Sequence, residues 1–538
     1  MQLSKLSRPR AGRESGGRDH ARQVALAALC TLLFLTFLDN TVVSVGLGNM
    51  QTDLHASVAD LQWVVGGYAL AFASLMLPCG MIGDELGRKK VMLTGAGVFC
   101  AGSVLCALAP NAQTLIAGRV VMGLGAAASE PGTLSILRQI YTDDRARARA
   151  VGVWAAVSGL ALAMGPVIGG ALIGLWSWRA IFWFNLFFGL AALIIAAIVV
   201  PESSDHRQLR VDTVGTVLGA GALATLLFAI IDSETSSFTR PLVIALLCAA
   251  FVLAVAFVLW ERRASNPLLD MSLFRSVWFT VPNAVAFCTY FATFAIFFFT
   301  ALYLDEVVHA SGYRIALAFA PMTVLMIIAS VAAGYWTARA GARLPIVVGC
   351  AAFAAGLLLA NPLITTSPNY LLLSLALALA GIGIGITVVP VTATVLNAVV
   401  PERSGMAASA TNTSREIGAV TGVAVLGALV FSQLNSSLTA NLQALNVPVG
   451  EKAAILGFKS TIISFIETGQ APTNYSAYGP IVGKVIGAAY QSFGDGLHDA
   501  LYLSAGLVIV AGLLMVAASR PPAGSFKIST ATEGGPHV

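Results

Sequence analysis

Five charged side chains lie well inside long apolar stretches of this 538-residue chain: Asp39, Arg119, Glu130, Arg415 and Glu416. A charged group in an apolar environment is costly, so such residues are retained where they pair, bind or move charge. Burial favours the neutral form of a carboxyl group, whereas a nearby cation favours its ionised form. A carboxyl group held between these two influences can bind and release a proton, and these residue types predict that chemistry.

Each acidic candidate also has a purely structural interpretation. Glu130 precedes Pro131, so it either receives a proton or a cation, or it is solvated or bonded to the backbone that the proline frees. Arg415 and Glu416 are adjacent, and adjacent positions of a helix do not face each other. We therefore expect each to have a partner on another helix. The pair is then either an inter-helix strut or a second protonation or substrate site.

The elements that must position these residues are membrane-spanning helices. Only 11% of the residues are charged and 57% are hydrophobic, and the mean hydropathy is +0.82. A helix needs about 20 apolar residues to cross a bilayer. The apolar runs are too long and continuous for β-strands, which would alternate. We predict an all-α polytopic protein with fourteen spans: 24–47, 61–82, 91–109, 113–136, 150–175, 180–200, 213–231, 241–260, 279–304, 315–337, 344–361, 369–397, 406–431 and 499–518.

The basic residues support this count through the positive-inside rule. With the N-terminus in the cytoplasm, 23 of the 31 basic residues fall on the cytoplasmic side of the predicted spans. We therefore expect both termini to lie in the cytoplasm. The expected location of the protein is a bacterial plasma membrane. The predicted regions are a tail at 1–23, a six-helix bundle at 24–200, two inserted helices at 201–278, a second bundle at 279–518 with an extracellular loop at 432–498, and a tail at 519–538.

Depth arithmetic places Asp39 and Arg119 near each other. Asp39 lies about 22 Å from the cytoplasmic end of its span, and Arg119 lies about 9 Å from the opposite end of its own, at 1.5 Å per residue. Both depths fall in the outer half of a core about 30 Å thick. We expect the two side chains to approach each other, with Arg119 tuning a proton-binding Asp39. A fixed ion pair that joins two helices is the alternative.

Three motifs recur after a nearly constant interval. Gly80, Pro131 and Gly165 begin motifs that return at Gly334, Pro390 and Gly422, which are 254, 259 and 257 residues further on. The repeat predicts two matched six-helix halves around a central cavity, an arrangement suited to alternating access. At an interval of 257 residues, Asp39 and Arg119 have apolar counterparts. The charges therefore break the symmetry, which favours a functional role.

Several of these motifs resemble the major facilitator superfamily, and in particular its fourteen-span drug/proton antiporter branch. They are Gly80-Met-Ile-Gly-Asp84-Glu-Leu-Gly87-Arg88, Leu38-Asp39-Asn-Thr41, Leu61-Gln62-Trp63, Trp178-Arg179-x2-Phe182-x2-Asn185, Asn266-Pro267-Leu268-Leu269-Asp270 and Gly165-Pro166-x2-Gly169-Gly170. The resemblance covers about residues 24–518. It implies export of amphipathic or cationic small molecules, or of lipids, in exchange for protons.

The resemblance also implies roles for two groups of residues. The loop residues Gly80, Asp84, Gly87 and Arg88 form an inner gate, in which Asp84 bonds a helix N-terminus or an arginine. In the antiporter helix, Gly165, Pro166, Gly169 and Gly170 bend the chain and allow close packing. Aromatic rings can hold cationic ligands by cation–π contacts, although lipid-facing or core positions are the alternative for each. The aromatic candidates for a substrate cavity are Trp63, Tyr68, Phe291, Phe294 and Phe298.

Other function classes receive no support from the residues. The seven cysteines lie inside apolar spans without metal-ligand spacing, and the six histidines lie in tails, loops or span edges. We therefore expect that the protein is not an enzyme and has no catalytic residue, metal, cofactor or nucleic-acid partner. We expect a monomer whose transport is driven by the proton gradient. An exporter of an endogenous lipid or metabolite, or less well a nutrient facilitator, remains as an alternative.

Overall fold

The computed structural model describes residues 11–141, 143–202, 212–236, 240–264, 267–365, 367–399, 404–444 and 481–518. These ranges contain helices and no strand. The helices are α1 Ala11–Val42, α2 Leu47–Leu54, α3 Val58–Leu86, α4 Arg88–Ala107, α5 Ala112–Ile140, α6 Asp144–Leu175, α7 Arg179–Val199, α8 Thr213–Ser236, α9 Pro241–Glu261, α10 Val277–Glu306, α11 Gly312–Ala340, α12 Arg343–Ala360, α13 Tyr370–Asn397, α14 Ser404–Ala444 and α15 Ile481–Ala517.

All of these helices except the short α2 are long enough to approach the thickness of a bilayer. Within the described residues, thirteen are both long and apolar enough to cross it. The other long helix is α6, which has 32 residues and covers the predicted fifth span; its described apolar stretch is Met164–Leu175. The predicted all-α polytopic fold is therefore confirmed.

The ends of some predicted segments need correction. The predicted loop 432–498 is shorter, because α14 continues to Ala444 and α15 already begins at Ile481. Apolar side chains hold both extensions, since Leu434, Leu438 and Phe493 are buried in the core. Helix α1 already begins at Ala11, within the predicted tail 1–23. The rest of the predicted loop, 445–480, and the predicted C-terminal tail lie outside the described residues.

The internal repeat has a structural counterpart in the backbone. The two non-glycine residues with positive φ in the described chain, His55 and His309, are 254 residues apart, as are the two positive-φ glycines, Gly87 and Gly341. At φ +111° and +79°, Gly87 and Gly341 adopt conformations that a side chain disfavours, so this repeated turn favours repeated glycines.

Matching helices pack in the same way in the two halves. In the first, α1 packs on α6 and α7, and α4 packs on α5; in the second, α10 packs on α14 and α15, and α12 packs on α13. Glycines allow the contact of α4 with α5 and the matching contact of α12 with α13. An added Cβ on Gly125 would lie 2.3 Å from the backbone N of Phe99, and one on Gly383 would lie 2.2 Å from that of Phe353. Small residues of this kind let helix backbones approach closely in lipid.

The two halves meet along two pairs of helices. One contact joins α6 to α11, and the other joins α3 to α14. The inserted helix α8 packs on α9 and also on α3 and α14, so it covers the second seam. By contrast α9 is almost entirely exposed, with only 11% of its apolar window buried, as expected of a helix that faces lipid.

Candidate functional site

All five charged residues of the apolar stretches lie in the region where the halves face each other. Asp39 is on α1, Arg119 and Glu130 are on α5, and Arg415 and Glu416 are on α14. At most 5% of each side chain is exposed. Burial of this extent forces each group to find partners inside the protein.

Asp39 and Arg119 form a buried ion pair within the first half, as the depth arithmetic predicted. Asn185 of α7 donates a hydrogen bond to the second carboxylate oxygen of Asp39 at 2.6 Å. Arg119 also donates from Nε to the carbonyl of Val64 at 2.9 Å and lies over the ring of Tyr68, 4.5 Å from its centroid. These partners tie α1, α3, α5 and α7 together, so the pair moves with its half as one body.

Glu130 and Glu416 are bonded differently, because each reaches across to the other half. Asn412 of α14 donates from Nδ2 to Oε1 of Glu130 at 3.2 Å. Asn40 of α1 donates from Nδ2 to Oε1 of Glu416 at the same distance. Neither carboxyl group forms an ion pair within the described residues, and Oε2 of each has no hydrogen-bond partner there.

Arg415 also lacks a carboxylate partner in the described chain. Its guanidinium donates to Oδ1 of Asn412 at 3.1 Å and to Oγ1 of Thr392 at 2.6 Å. The ring of Tyr290 lies 5.3 Å from the guanidinium carbon. Thr392 lies on α13 and Asn40 lies on α1, so Arg415 and Glu416 each have a partner on another helix. This prediction is confirmed.

Sequence reasoning assigned no role to the amide residues of this site, although Asn40 and Asn185 lie within the motifs quoted above. Asn40 and Asn412 make the contacts between the halves, and Asn185 completes the environment of Asp39. Their available signal was weak: an amide next to Asp39 and another one helical turn before Glu416. An amide in an apolar span is less costly than a charge, so it draws less attention.

The predicted cavity aromatics do not form one group. Phe294 lines a cavity of about 20 Å³ in the second half, next to Tyr290 and Ser330, which has room for one water molecule. Tyr68 stacks on Arg119, whereas Trp63 packs on Phe228 of the inserted helix α8. Phe291 and Phe298 are buried in the core. Only Phe294 and Tyr68 therefore lie beside the polar site or its adjoining cavity.

The predicted inner-gate loop is shorter than expected. Of its four residues Gly87 lies between α3 and α4, whereas Gly80 and Asp84 belong to α3 and Arg88 begins α4. Gly87 has φ +111° there, and Glu202 beyond α7 accepts a hydrogen bond from the backbone N of Lys89 at 3.0 Å. An added Cβ on Gly80 would lie 3.4 Å from the ring of Pro131. The side chain of Asp84 lies outside the described residues, and the gate role of Arg88 and its neighbours stays a prediction.

The predicted antiporter helix contacts both halves. An added Cβ on Gly165 or Gly169 would lie less than 3 Å from the backbone of Val42 of α1, while Gly170 lies against α11 of the other half. Pro166 is buried between these glycines. The glycines thus permit close contact, and Gly170 permits it between the halves.

Replacing Gly170 by valine is expected to open this contact. The new Cβ would lie 2.4 Å from Cβ of Ala316 and 2.6 Å from the carbonyl of Gly312. Overpacking of this kind costs about 1–3 kcal/mol, enough to shift a closed–open equilibrium by about tenfold. The measurement is labelling of an Ile173→Cys reporter by a membrane-impermeant maleimide, which should accelerate.

Gly174→Val, one turn further along α6, is the matched control. Its Cβ would lie 3.7 Å from Tyr313, an ordinary contact, so labelling should not change. Equal labelling of the reporter in the wild-type and Gly170→Val backgrounds would contradict the assignment of this seam as a closing contact.

These contacts join the two halves, and we call this arrangement the closed state. The Gly170 seam lies toward the predicted extracellular end of α6, and the bond of Glu130 to Asn412 lies toward the predicted cytoplasmic half of α5. The halves therefore touch at the Gly170 seam and at the buried carboxyl groups themselves. Such a site has the groups needed to bind a proton or a cation between the two halves.

Comparisons with known proteins agree with this architecture. The family model described as Major Facilitator Superfamily matches residues 29–423. The chain is 32% identical to the multidrug resistance protein Stp of Mycobacterium tuberculosis over 76% of each chain. It is 35% identical to the methylenomycin A resistance protein of Bacillus subtilis, over 75% of this chain and 87% of that protein.

Longer matches extend over nearly the whole chain. The multidrug efflux pump LfrA of Mycolicibacterium smegmatis is 27% identical over 92% of this chain and 96% of its own. The solved structure of a bacterial homologue of the human lysosomal transporter Spinster, inward-facing and unoccupied, aligns with a TM-score of 0.58 at 16% identity. It covers 94% of this chain and 99% of that one, which shows a common fold. The resemblance seen in the motifs is thereby confirmed, and this multi-pass membrane protein belongs to the Major Facilitator Superfamily of transporters.

Proposed function

We propose that this protein exports amphipathic, typically cationic, small molecules across the plasma membrane in exchange for protons, by alternating access. The observation that carries the proposal is the pair of carboxyl groups, Glu130 and Glu416. They bond across the two halves and form no ion pair with any residue that the structure describes. Relatives named as multidrug resistance and multidrug efflux proteins support export of drug-like molecules.

The exchange follows from the cost of burying charge. An unpaired carboxylate is expensive in a closed, apolar site, whereas a protonated carboxyl group or a carboxylate beside a cation is much less so. The halves can therefore close over Glu130 and Glu416 when a proton or a cationic substrate is present. Closing without either leaves a buried charge. Proton and substrate thus compete for one site, which is the requirement for antiport.

Aromatic rings near the site suit an amphipathic cation. Tyr290, Phe294 and Phe297 line the small cavity beside Arg415, and ring faces attract cations. In this closed state the cavity has room for no more than a water molecule. The substrate must therefore enter a more open state, in agreement with alternating access. On this proposal the protein needs no cofactor and works as a monomer, with both termini in the cytoplasm.

The test uses purified protein in liposomes that contain a pH-sensitive dye. Tetraphenylphosphonium, ethidium and phospholipid would be added in turn to the wild type. Proton release that depends on a lipophilic cation is the expected result. Release that depends only on the lipid would identify a lipid exporter, and substrate movement without proton flux would overturn proton coupling.

A further inference from the structure

The two bonds between the halves form a reciprocal arrangement. Asn412 and Glu416 lie one helical turn apart on α14, on the face that meets the first half. Across from them lie Glu130 of α5 and Asn40 of α1. Each half therefore contributes one amide and one carboxyl group, and each amide donates to the carboxyl group of the opposite half.

The orientation of one amide is fixed by its second partner. Oδ1 of Asn412 accepts from the guanidinium of Arg415 at 3.1 Å, and a guanidinium can only donate. Nδ2 of Asn412 must therefore be the atom that faces Glu130. Because Asn412 lies between Arg415 and Glu130, it connects a buried cation of this half to a carboxyl group of the other.

The other charged and titratable groups that face this cluster are few in the described helices. They are the Asp39–Arg119 pair of α1 and α5, Tyr68 of α3, Arg415 of α14 and Tyr290 of α10. Asp39 and Arg119 are bonded to each other, and each tyrosine ring lies under an arginine. In the described part of the chain, the amides donate hydrogen bonds directly to Glu130 and Glu416.

We propose that Asn40 and Asn412 are positioning residues of the proton-coupled cycle, each setting how firmly the carboxyl group of the opposite half holds its proton when the halves are closed. The inference rests on the proposed function and deepens it. An N–H donor stabilises a carboxylate more than a neutral carboxyl group. The two bonds exist only while the halves are together. Closing therefore changes proton affinity, and by linkage proton binding changes the closing equilibrium.

The test is the pH profile of substrate-driven transport in proteoliposomes, measured with tetraphenylphosphonium for Asn40→Leu and Asn412→Leu. Loss of the donor disfavours the carboxylate, so the proton is retained to higher pH. The pH of half-maximal transport should rise by about one unit, because one unit corresponds to the typical strength of one hydrogen bond to a charged group. A purely structural amide would lower the rate without moving the midpoint.

Asn283→Leu is the matched control. Asn283 is also a buried asparagine, but it donates to the carbonyl of Phe279 in its own helix at 2.7 Å. Its replacement should leave the midpoint unchanged. If a leucine variant does not reach the membrane, the isosteric Asn40→Asp and Asn412→Asp keep the shape. They should also raise the midpoint, because two facing carboxyl groups share one proton tightly.

The outcomes separate the inference from the function on which it rests. Wild-type midpoints in the Asn40 and Asn412 variants, with proton-coupled transport intact, would overturn the inference alone. Absence of substrate-driven proton flux in the wild type would overturn the proposed function itself. A midpoint that moves equally in Asn283→Leu would show a general effect of removing buried amides and would also overturn the inference.

Discussion

Arg119→Leu is expected to destabilise the protein by about 3–5 kcal/mol and to abolish export, because it leaves Asp39 as a buried charge without its ion-pair partner. Both side chains of the pair are almost fully buried, so water cannot replace the lost guanidinium. Asn185 alone would remain as a bonded side chain of Asp39. The measurement is the unfolding temperature of the purified protein in detergent, together with its amount in the membrane.

Two further variants make this result interpretable. The ion pair of Arg240 with Asp232 has a length of 3.7 Å, with half of the arginine exposed. Pairs of this kind contribute about 0–1 kcal/mol, so Arg240→Gln should unfold like the wild type. The double variant Asp39→Leu with Arg119→Leu removes both charges and should recover much of the stability. Wild-type stability of Arg119→Leu alone would contradict a buried, mutually dependent pair.

Replacing both glutamates, by Glu130→Gln together with Glu416→Gln, should have the opposite combination of effects, with a stable protein and lost coupling. Glutamine resembles a permanently protonated glutamate, and its amide oxygen can still accept the bond from Asn412 or Asn40. The halves can therefore still close. With no proton to exchange, the ratio of internal to external substrate should fall to about one, the value of an uncoupled carrier.

Exchange of labelled for unlabelled tetraphenylphosphonium at equal pH distinguishes this loss from simple inactivity. This double variant should retain such exchange while losing accumulation driven by a pH gradient. Asp39→Asn should instead behave like Arg119→Leu, because it leaves an arginine buried without its counter-charge. Full gradient-driven accumulation by a protein with both glutamates replaced would exclude them as proton carriers.

Much of the fold and the buried charges were predictable because both depend on large energies. Long apolar runs have few alternatives to helices in lipid, and a charge inside such a run is conspicuous. The depth of each residue along its own helix was enough to predict that Asp39 approaches Arg119, because both helices belong to the same half. The positions of Gly87 and Gly341 also followed from repeated motifs, since a positive φ constrains the residue type.

The contacts between the halves were not predictable in the same way. Glu130 and Asn412 are separated by 282 positions, and Asn40 and Glu416 by 376. Their meeting depends on the rotation of each helix and on how the halves close. Neither quantity is encoded in hydropathy. The same limit applies to Trp63, which faces the inserted helix α8 rather than the polar site, and to the loop boundaries at Ala444 and Ile481.

The most direct test of proton-coupled export is uphill accumulation of tetraphenylphosphonium by wild-type proteoliposomes under an imposed pH gradient, with no other energy source. If export is coupled to protons, the cation should move against its own concentration gradient. Reversing the pH gradient should reverse the direction, and a protonophore should stop the movement. Accumulation that is insensitive to the pH gradient, or simple equilibration of the cation across the membrane under all conditions, would contradict proton-coupled export.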